Sequence, residues 1–443
     1  MTARALPLVV AVAVVVAGCA APTGPANAPT TRAEPSAASA EAVGAATATP
    51  DAPEPTRNST TADEAAGEPS PDAIAEGYDI SVAGGELPIE YPVVFARVAV
   101  MLDRPGVEPP ARVTVRPNDR MSVGTRKYPE FYRLLGIRVP EDRDSALTAA
   151  AYVASPEGVS VNEAIVNDSA ETESTMAHES VHVVQFRTGT FDELRGTAAA
   201  PTGSTAERLL RTALVEGSAT YVQGEYRERY VPEAEPPTAS LAAAARNRSG
   251  AATLGIAPYV VGARYVDARV DDPGGLEAVY ADPPRTAEEL LHDRPPGSEP
   301  VASLSVADAD GDGWTADPRT RDTHGELFVR VVLDTELNGS AAASAAAGWG
   351  NDVRVGFVNE TADGTRRVGY AWALRFDDAA NATAFEAAAA DWAADRGPNE
   401  SAVRAERVSE ETVVFLLGDE AFVGNASVDG DDGEVTVRVD GGG

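Results

Sequence analysis

The chain has 443 residues, long enough for two domains of ordinary size, and 43% of them are hydrophobic, enough for folded cores. It carries 69 acidic residues against 36 basic ones, a formal charge of -33, and Lys127 is its one lysine. That balance excludes a sequence-independent nucleic-acid binder, which needs clustered Lys and Arg. It fits either a surface solvated at very high salt, where charges are screened within about 3 Å, or an acidic protein of ordinary salt.

Arg4 is the only charge before an apolar run from Leu6 to Ala17. The run is shorter than the roughly 20 residues a spanning helix needs, and reads as an export signal. Its end, Val16-Ala17-Gly18-Cys19, resembles a lipoprotein signal, so residues 1–18 are expected to be removed and Cys19 to receive a lipid. The alternative is an ordinary signal peptide that happens to contain a cysteine. Cys19 is the only cysteine, so no internal disulfide and no further thiol ligand is available. Residues 19–73 are rich in Ala, Pro, Thr, Ser and Glu without an apolar period, and read as a disordered tether. No later segment is long and apolar enough to span a bilayer. Sequons at Asn58, Asn167, Asn247, Asn338, Asn359, Asn381, Asn399 and Asn425 are plausible glycan sites beside an export signal.

The folded part is expected from residue 74, in three segments: 74–300 around a metal motif, 301–321 as an Asp/Gly-rich loop, and 322–443 as a smaller α+β region. A helix is predicted over 89–102, a short strand over 112–115 and a short helix over 128–135. Strands over 150–154 and 159–166 flank the turn Ser155-Pro156-Glu157-Gly158. A helix over 171–187 follows, capped by Ser169 or Asp168, then a second helix over 205–230. Ala-rich helix resumes near Ser240, and another element spans 259–270. After Asp322 come a long Ala-rich helix, a hairpin of 353–359 with 366–376, a helix over 379–395, and strands near Val403, Val413 and Val435. The class is α+β, without internal repeats.

The segment His178-Glu179-Ser180-Val181-His182 puts two histidines at i and i+4, on one face of a helix, where both imidazoles can meet one ion. With four histidines in the chain, HExxH arises by chance in roughly 0.3% of shuffled sequences. Zinc suits imidazole and carboxylate ligands. Glu179 stands where a general base can take a proton from a metal-polarised water. A third ligand is expected from a helix packed on the first. Glu216, in the otherwise small and apolar stretch Thr212 to Tyr221, is costly to bury unless a metal compensates it.

The set His178, His182, Glu216 and Glu179 resembles the gluzincin class of zinc metallopeptidases. HESVHVVQ, ALVEGSATYVQ, PYVVGARYVDA, GGLEAVYADPPRTAEELLH, GELFVRVVL and AAAGWGNDVRV, in that order, are similar to a family of haloarchaeal surface proteins and lipoproteins with a predicted zincin domain. The resemblance covers about residues 85–420. It implies a zincin-like helical domain with a small antiparallel sheet, a lipid-anchored place on the extracellular face of the membrane, and a peptide or protein substrate. It also implies that the strand over 159–166 is a sheet edge able to pair with an extended substrate. The sequence departs from the gluzincin pattern at Thr220, where many gluzincins carry a carboxylate that orients a histidine, and at Gln185 and Arg187.

Peptide hydrolysis also needs a donor for the oxyanion. Tyr221, Tyr259, Tyr265, His292 and His324 are candidates, with Tyr259 and His292 foremost because both fall in family-like segments. Asp308, Asp310 and Asp312, followed by Gly313, match the first half of a calcium loop, yet Arg319 stands where its bidentate Glu belongs. The expected function is that of a cell-surface zinc metallopeptidase. The alternative is a non-catalytic structural or binding lipoprotein that keeps a zinc site.

Overall fold

The computed structural model describes residues 70–121, 128–138, 149–239, 241, 250–309, 313–361, 363–397 and 400–440. Cys19, the signal segment, the tether before Ser70, Asp310, Asp312, Asn58, Asn247 and Asn399 lie outside the described residues. From Pro71 onward the chain forms one compact α+β unit. Helix α1 (Pro71–Ala75) already lies within the stretch read as tether, so ordered structure begins before residue 74.

The first sheet holds β1 (Ser81–Ala83), β2 (Arg112–Arg116), β3 (Ala151–Ser155) and β4 (Gly158–Asn162), in the order β1-β2-β4-β3. Helix α2 (Tyr91–Met101) lies in sequence between β1 and β2, and α3 (Glu130–Leu134) follows β2. The sheet is mixed, not antiparallel as expected. β1, β2 and β4 run parallel because long connections separate them in sequence, and only β3 and β4, joined by the turn at Pro156-Glu157, pair antiparallel. This corrects the expected substrate edge as well: β4 is paired on both sides, and the free edge beside it is β3. Alternation turns Val113, Val115, Val153, Val159 and Val161 inward.

Helix α4 (Ser169–Thr188) packs against β3, α5 (Thr190–Glu193) and α6 (Thr205–Tyr230) against α4, and α7 (Gly250–Asp267) against α6; with α8 (Leu276–Ala281) and α9 (Ala287–Leu291) they share one apolar core with the sheet. Asp168 caps α4 by accepting from Glu171 N (3.1 Å), and Gly189 at φ 83° ends it in the left-handed conformation that glycine adopts without strain. Helix α7 starts earlier than expected because it runs through Pro258. A proline inside a helix costs about 3 kcal/mol, here offset by the packing of α7 on α6. A Cβ on Gly217 would lie 2.4 Å from Gly262 Cα, and one on Gly262 only 1.8 Å from Ala213 O. The two helices cross at backbone contact that only glycine permits at both positions.

The remaining chain forms β5 (Ser305–Ala309), β6 (Thr315–Asp322), α10 (Glu326–Leu333), α11 (Gly339–Ala346), β7 (Trp349–Glu360), β8 (Arg366–Phe376), α12 (Ala379–Asp395), β9 (Ala402–Arg407), β10 (Thr412–Gly418), α13 (Glu420–Asn425), β11 (Ala426–Gly430) and β12 (Glu434–Val439). The expected long Ala-rich helix is two helices, because Asn338 accepts from Ala341 N (3.0 Å) and starts α11 afresh. The segment read as a loop over 301–321 supplies strands β5 and β6. β5 pairs parallel with β12, a partner too distant in sequence for local pattern to reveal. The five-stranded sheet β6-β7-β8-β10-β9 is antiparallel and covered on both faces. Trp372, Leu374, Phe376, Val413, Phe415 and Leu417 face α10–α12, while Ala371, Ala373, Val414 and Leu416 face the β11-β12-β5 sheet. Phe131 and Tyr132 of α3 enter that first face, so the early chain contributes to the later core.

Candidate metal centre

Helix α4 is buried from Ser174 through Gln185, and α6 packs on it antiparallel. Contacts between Gln185 and Val215, His182 and Glu216, and Ser174 and Gln223 give that direction. One helical turn brings the His178 and His182 rings to 4.9 Å between centroids, with their Nε2 atoms 3.2 Å apart. Glu216 Oε2 lies 3.2 Å from His182 Nε2 and 3.5 Å from His178 Nε2. Three corners of a tetrahedron built with bonds of roughly 2.05 Å are about 3.3 Å apart. The three atoms therefore stand at the spacing of ligands around one tetrahedral ion. Together these buried His and Glu groups could hold a metal ion.

The charges point the same way. Glu179 is fully buried, and neither carboxyl oxygen has a hydrogen-bond partner. Burial, reinforced by Glu216 and opposed by His182, pushes its carboxyl up to about 8. Burial also tends to raise the Glu216 carboxyl, but the two imidazoles outweigh it and hold that group low. Burial lowers His178, against a weaker pull from Glu216, while Glu216 carries His182 upward against burial. Among the described residues, no Lys or Arg is ion-paired with any of these four. Two buried carboxylates facing two imidazoles are a donor set that a dication satisfies.

Supporting groups fix the ligands. Gln185 Oε1 lies 2.8 Å from His182 Nδ1, while its amide donates to Val215 O (3.1 Å) and Tyr280 Oη (3.0 Å). Gln185, which departs from the resemblance, is thus the residue that orients His182. Its place three residues after His182, on the same helix face, is the signal that would have found it. Thr220 does not orient a histidine; its hydroxyl donates to Glu216 O (2.8 Å). Gln223 faces His178 and is held by Ser174 Oγ (3.1 Å). Tyr91, on α2, is near enough to feel the Glu179 charge and receives a bond from Ser180 Oγ (3.3 Å). Neither Gln223 nor Tyr91 is visible from the motif itself.

Of the two foremost oxyanion candidates, the structure brings only Tyr259 to the centre. The Gly217–Gly262 contact seats α7 so that the Tyr259 ring lies parallel to His178 (12°, centroids 6.2 Å) and its hydroxyl donates to Glu216. Burial first, then Glu216 and Glu179, raise that hydroxyl far above the usual tyrosine range, which keeps it a donor. His292 belongs elsewhere. It ends α9 against α10, 3.0 Å from Glu326 Oε1 and 3.2 Å from Arg330 Nη2. His324 is buried against Asp352, and Tyr265 lies under the Arg269 guanidinium (3.6 Å). Asp308 accepts from Ala316 N (2.9 Å), and Asp317 is bound by Arg319.

A family profile described as a domain of unknown function, DUF8575, matches residues 315–441. The match runs from β6 to β12, leaves β5 outside, and includes none of His178, Glu179, His182 and Glu216. No curated protein and no solved structure matches the chain. Among the described residues, no helix is long and apolar enough to cross a membrane.

Proposed function

We propose that this chain is a zincin-like, gluzincin-type protein in which His178, His182 and Glu216 hold zinc and the centre hydrolyses peptide bonds. A bound zinc would supply Lewis acidity, lowering the pKa of a water molecule and polarising a carbonyl. Glu179 accepts the proton from that water and returns it to the departing amine nitrogen. Tyr259 is the hydroxyl donor beside the same centre; turning its one proton from Glu216 to the attacked carbonyl oxygen, it stabilises the negative charge there. The β3 edge offers backbone groups to an extended peptide. The lipid on Cys19 would keep this activity on the extracellular face of the membrane, with a peptide or protein as substrate and no nucleic acid.

The observation that carries the hydrolytic reading is Glu179. A purely structural ion needs only its ligands, whereas an additional buried carboxylate without a partner is a standing cost that catalysis explains. One observation favours a non-catalytic surface lipoprotein with a zinc site. His178, His182 and Glu216 are 1%, 0% and 2% exposed, so a substrate needs the cover over them to move.

The test compares the full chain with Glu179→Gln in molar salt, reading zinc content and cleavage of a mixed peptide library. Zinc in both with cleavage only by the wild type supports hydrolysis. Cleavage by both alike, or by neither, shifts the assignment to the binding protein. Absence of stoichiometric zinc in the wild type overturns both readings.

A further inference from the structure

Away from His178, His182 and Glu216, another buried carboxyl group has an oxygen without a hydrogen bond. Glu288, on α9, is 3% exposed, and its Oε1 has no hydrogen bond. Its neighbour Glu289 shows how this fold satisfies such a group. Glu289 is fully buried, and its two oxygens accept from Arg285 N (2.6 Å) and Glu299 N (3.1 Å). Those bonds pin the segment after α9 and carry Glu299 to the Glu288 side chain. Asp377, in the turn after β8, joins them. One oxygen each from Glu288, Glu299 and Asp377 lies within 4.8 Å of the others.

The local charge does not balance. Glu288, Glu299, Asp377 and Glu326 gather there, and the cations paired with them are Arg294, on Glu299, and Arg330, on Glu326 (2.6 Å). Among the described residues no cation is paired with Glu288 or Asp377, and burial first, then Asp377, Glu326 and Glu299, pushes the Glu288 carboxyl up to about 8. His292 and Glu326 also approach Glu288, but Arg330 already bridges that pair. The Glu288–Glu299–Asp377 set holds oxygen donors only, without imidazole or thiolate. That is the ligand chemistry of a hard dication large enough to complete its shell with water and carbonyls.

We infer that Glu288, Glu299 and Asp377 form a calcium site that ties the chain after α9 to the turn between β8 and α12. The site is separate from the zinc centre and from the Asp308 loop. It fastens the segment following the metal-binding helices to the five-stranded sheet of the later region, so its effect is on stability rather than on hydrolysis.

The experiment uses the full chain, stripped with a chelator, reloaded with zinc and titrated with calcium chloride in molar salt by calorimetry, with thermal melting alongside. The wild type is expected to show one saturable calcium event. Calcium at a hundred times its Kd is expected to raise Tm by roughly 3 °C. Glu288→Gln and Asp377→Asn should each weaken binding at least tenfold, and Asp308→Asn should leave it unchanged. Asp377 is exposed, so its variant folds even if the buried substitution does not. No saturable binding in the wild type overturns the site. So does binding that survives both substitutions or disappears in Asp308→Asn. The readouts are calcium and Tm, so the result is independent of the zinc reading.

Discussion

Two histidine–carboxylate sites are fully buried in this molecule, and they treat charge in opposite ways. Asp352 accepts from the backbone amides of His324 (2.9 Å) and Gly325 (2.8 Å), from the indoles of Trp349 (3.2 Å) and Trp372 (2.8 Å), and pairs with His324 Nδ1 (3.1 Å). Its lone pairs are used by groups the fold itself supplies. Glu179 accepts nothing, and Glu216 meets only imidazoles and a tyrosine hydroxyl. The residue types are the same. The difference is whether the interior completes the carboxylate or leaves it for something from outside. The completed Asp352 carboxylate anchors the later region, while an incomplete set has room for an ion.

That contrast can be broken in four ways. The largest effect is expected from Glu179→Gln, which should cut peptide turnover by roughly 10²–10⁴-fold while zinc content holds. If turnover is unchanged, Glu179 is as structural as Asp352. Asp352→Ala should cost about 3–5 kcal/mol in chemical denaturation by leaving His324 and two indoles unpaired, with zinc affinity unaffected. A loss of zinc there would show that the two sites are not separate. Gln185→Ala frees His182 to turn and should weaken zinc binding roughly 10–100-fold, measured by competition with a chromogenic chelator. An unchanged affinity would mean that the ring is held by packing alone.

The smallest effect concerns acid. Burial would raise the Asp352 carboxyl, but the bonds from His324, Gly325 and Trp372 outweigh it and hold the group below its ordinary value of 3.8. A depressed folded pKa contributes stability that is whole above the unfolded value and lost as pH falls through the folded one. Stability should therefore decline below about pH 3.8, and Asp352→Asn should flatten that limb of the curve. An identical acid limb in the variant would assign acid unfolding to other carboxylates.

Much of the fold was legible locally. The helices over 205–230 and 379–395 and the strand over 366–376 have the bounds that periodicity indicated, since each satisfies its backbone hydrogen bonds within or beside itself. The parallel pairing of β5 with β12 and the place of β4 inside its sheet were not legible. Strand partners far apart in sequence are chosen by packing, and no window of neighbouring residues records the choice.

The sequence by itself determined the heart of the site. A helix turns once in 3.6 residues, so His178 and His182 had to share a face, and an acidic residue in a small apolar stretch marked Glu216. Only the tertiary structure places Tyr259, and not His292, beside Glu216. Two glycines let α7 sink onto α6 and carry Tyr259 to Glu216, while α10 met α9 and took His292 to Glu326. It also left both oxygens of Glu179 and Oε1 of Glu288 without hydrogen bonds. The physical reason is range: helical period acts over a few residues, whereas the satisfaction of a buried charge depends on every segment that packs around it.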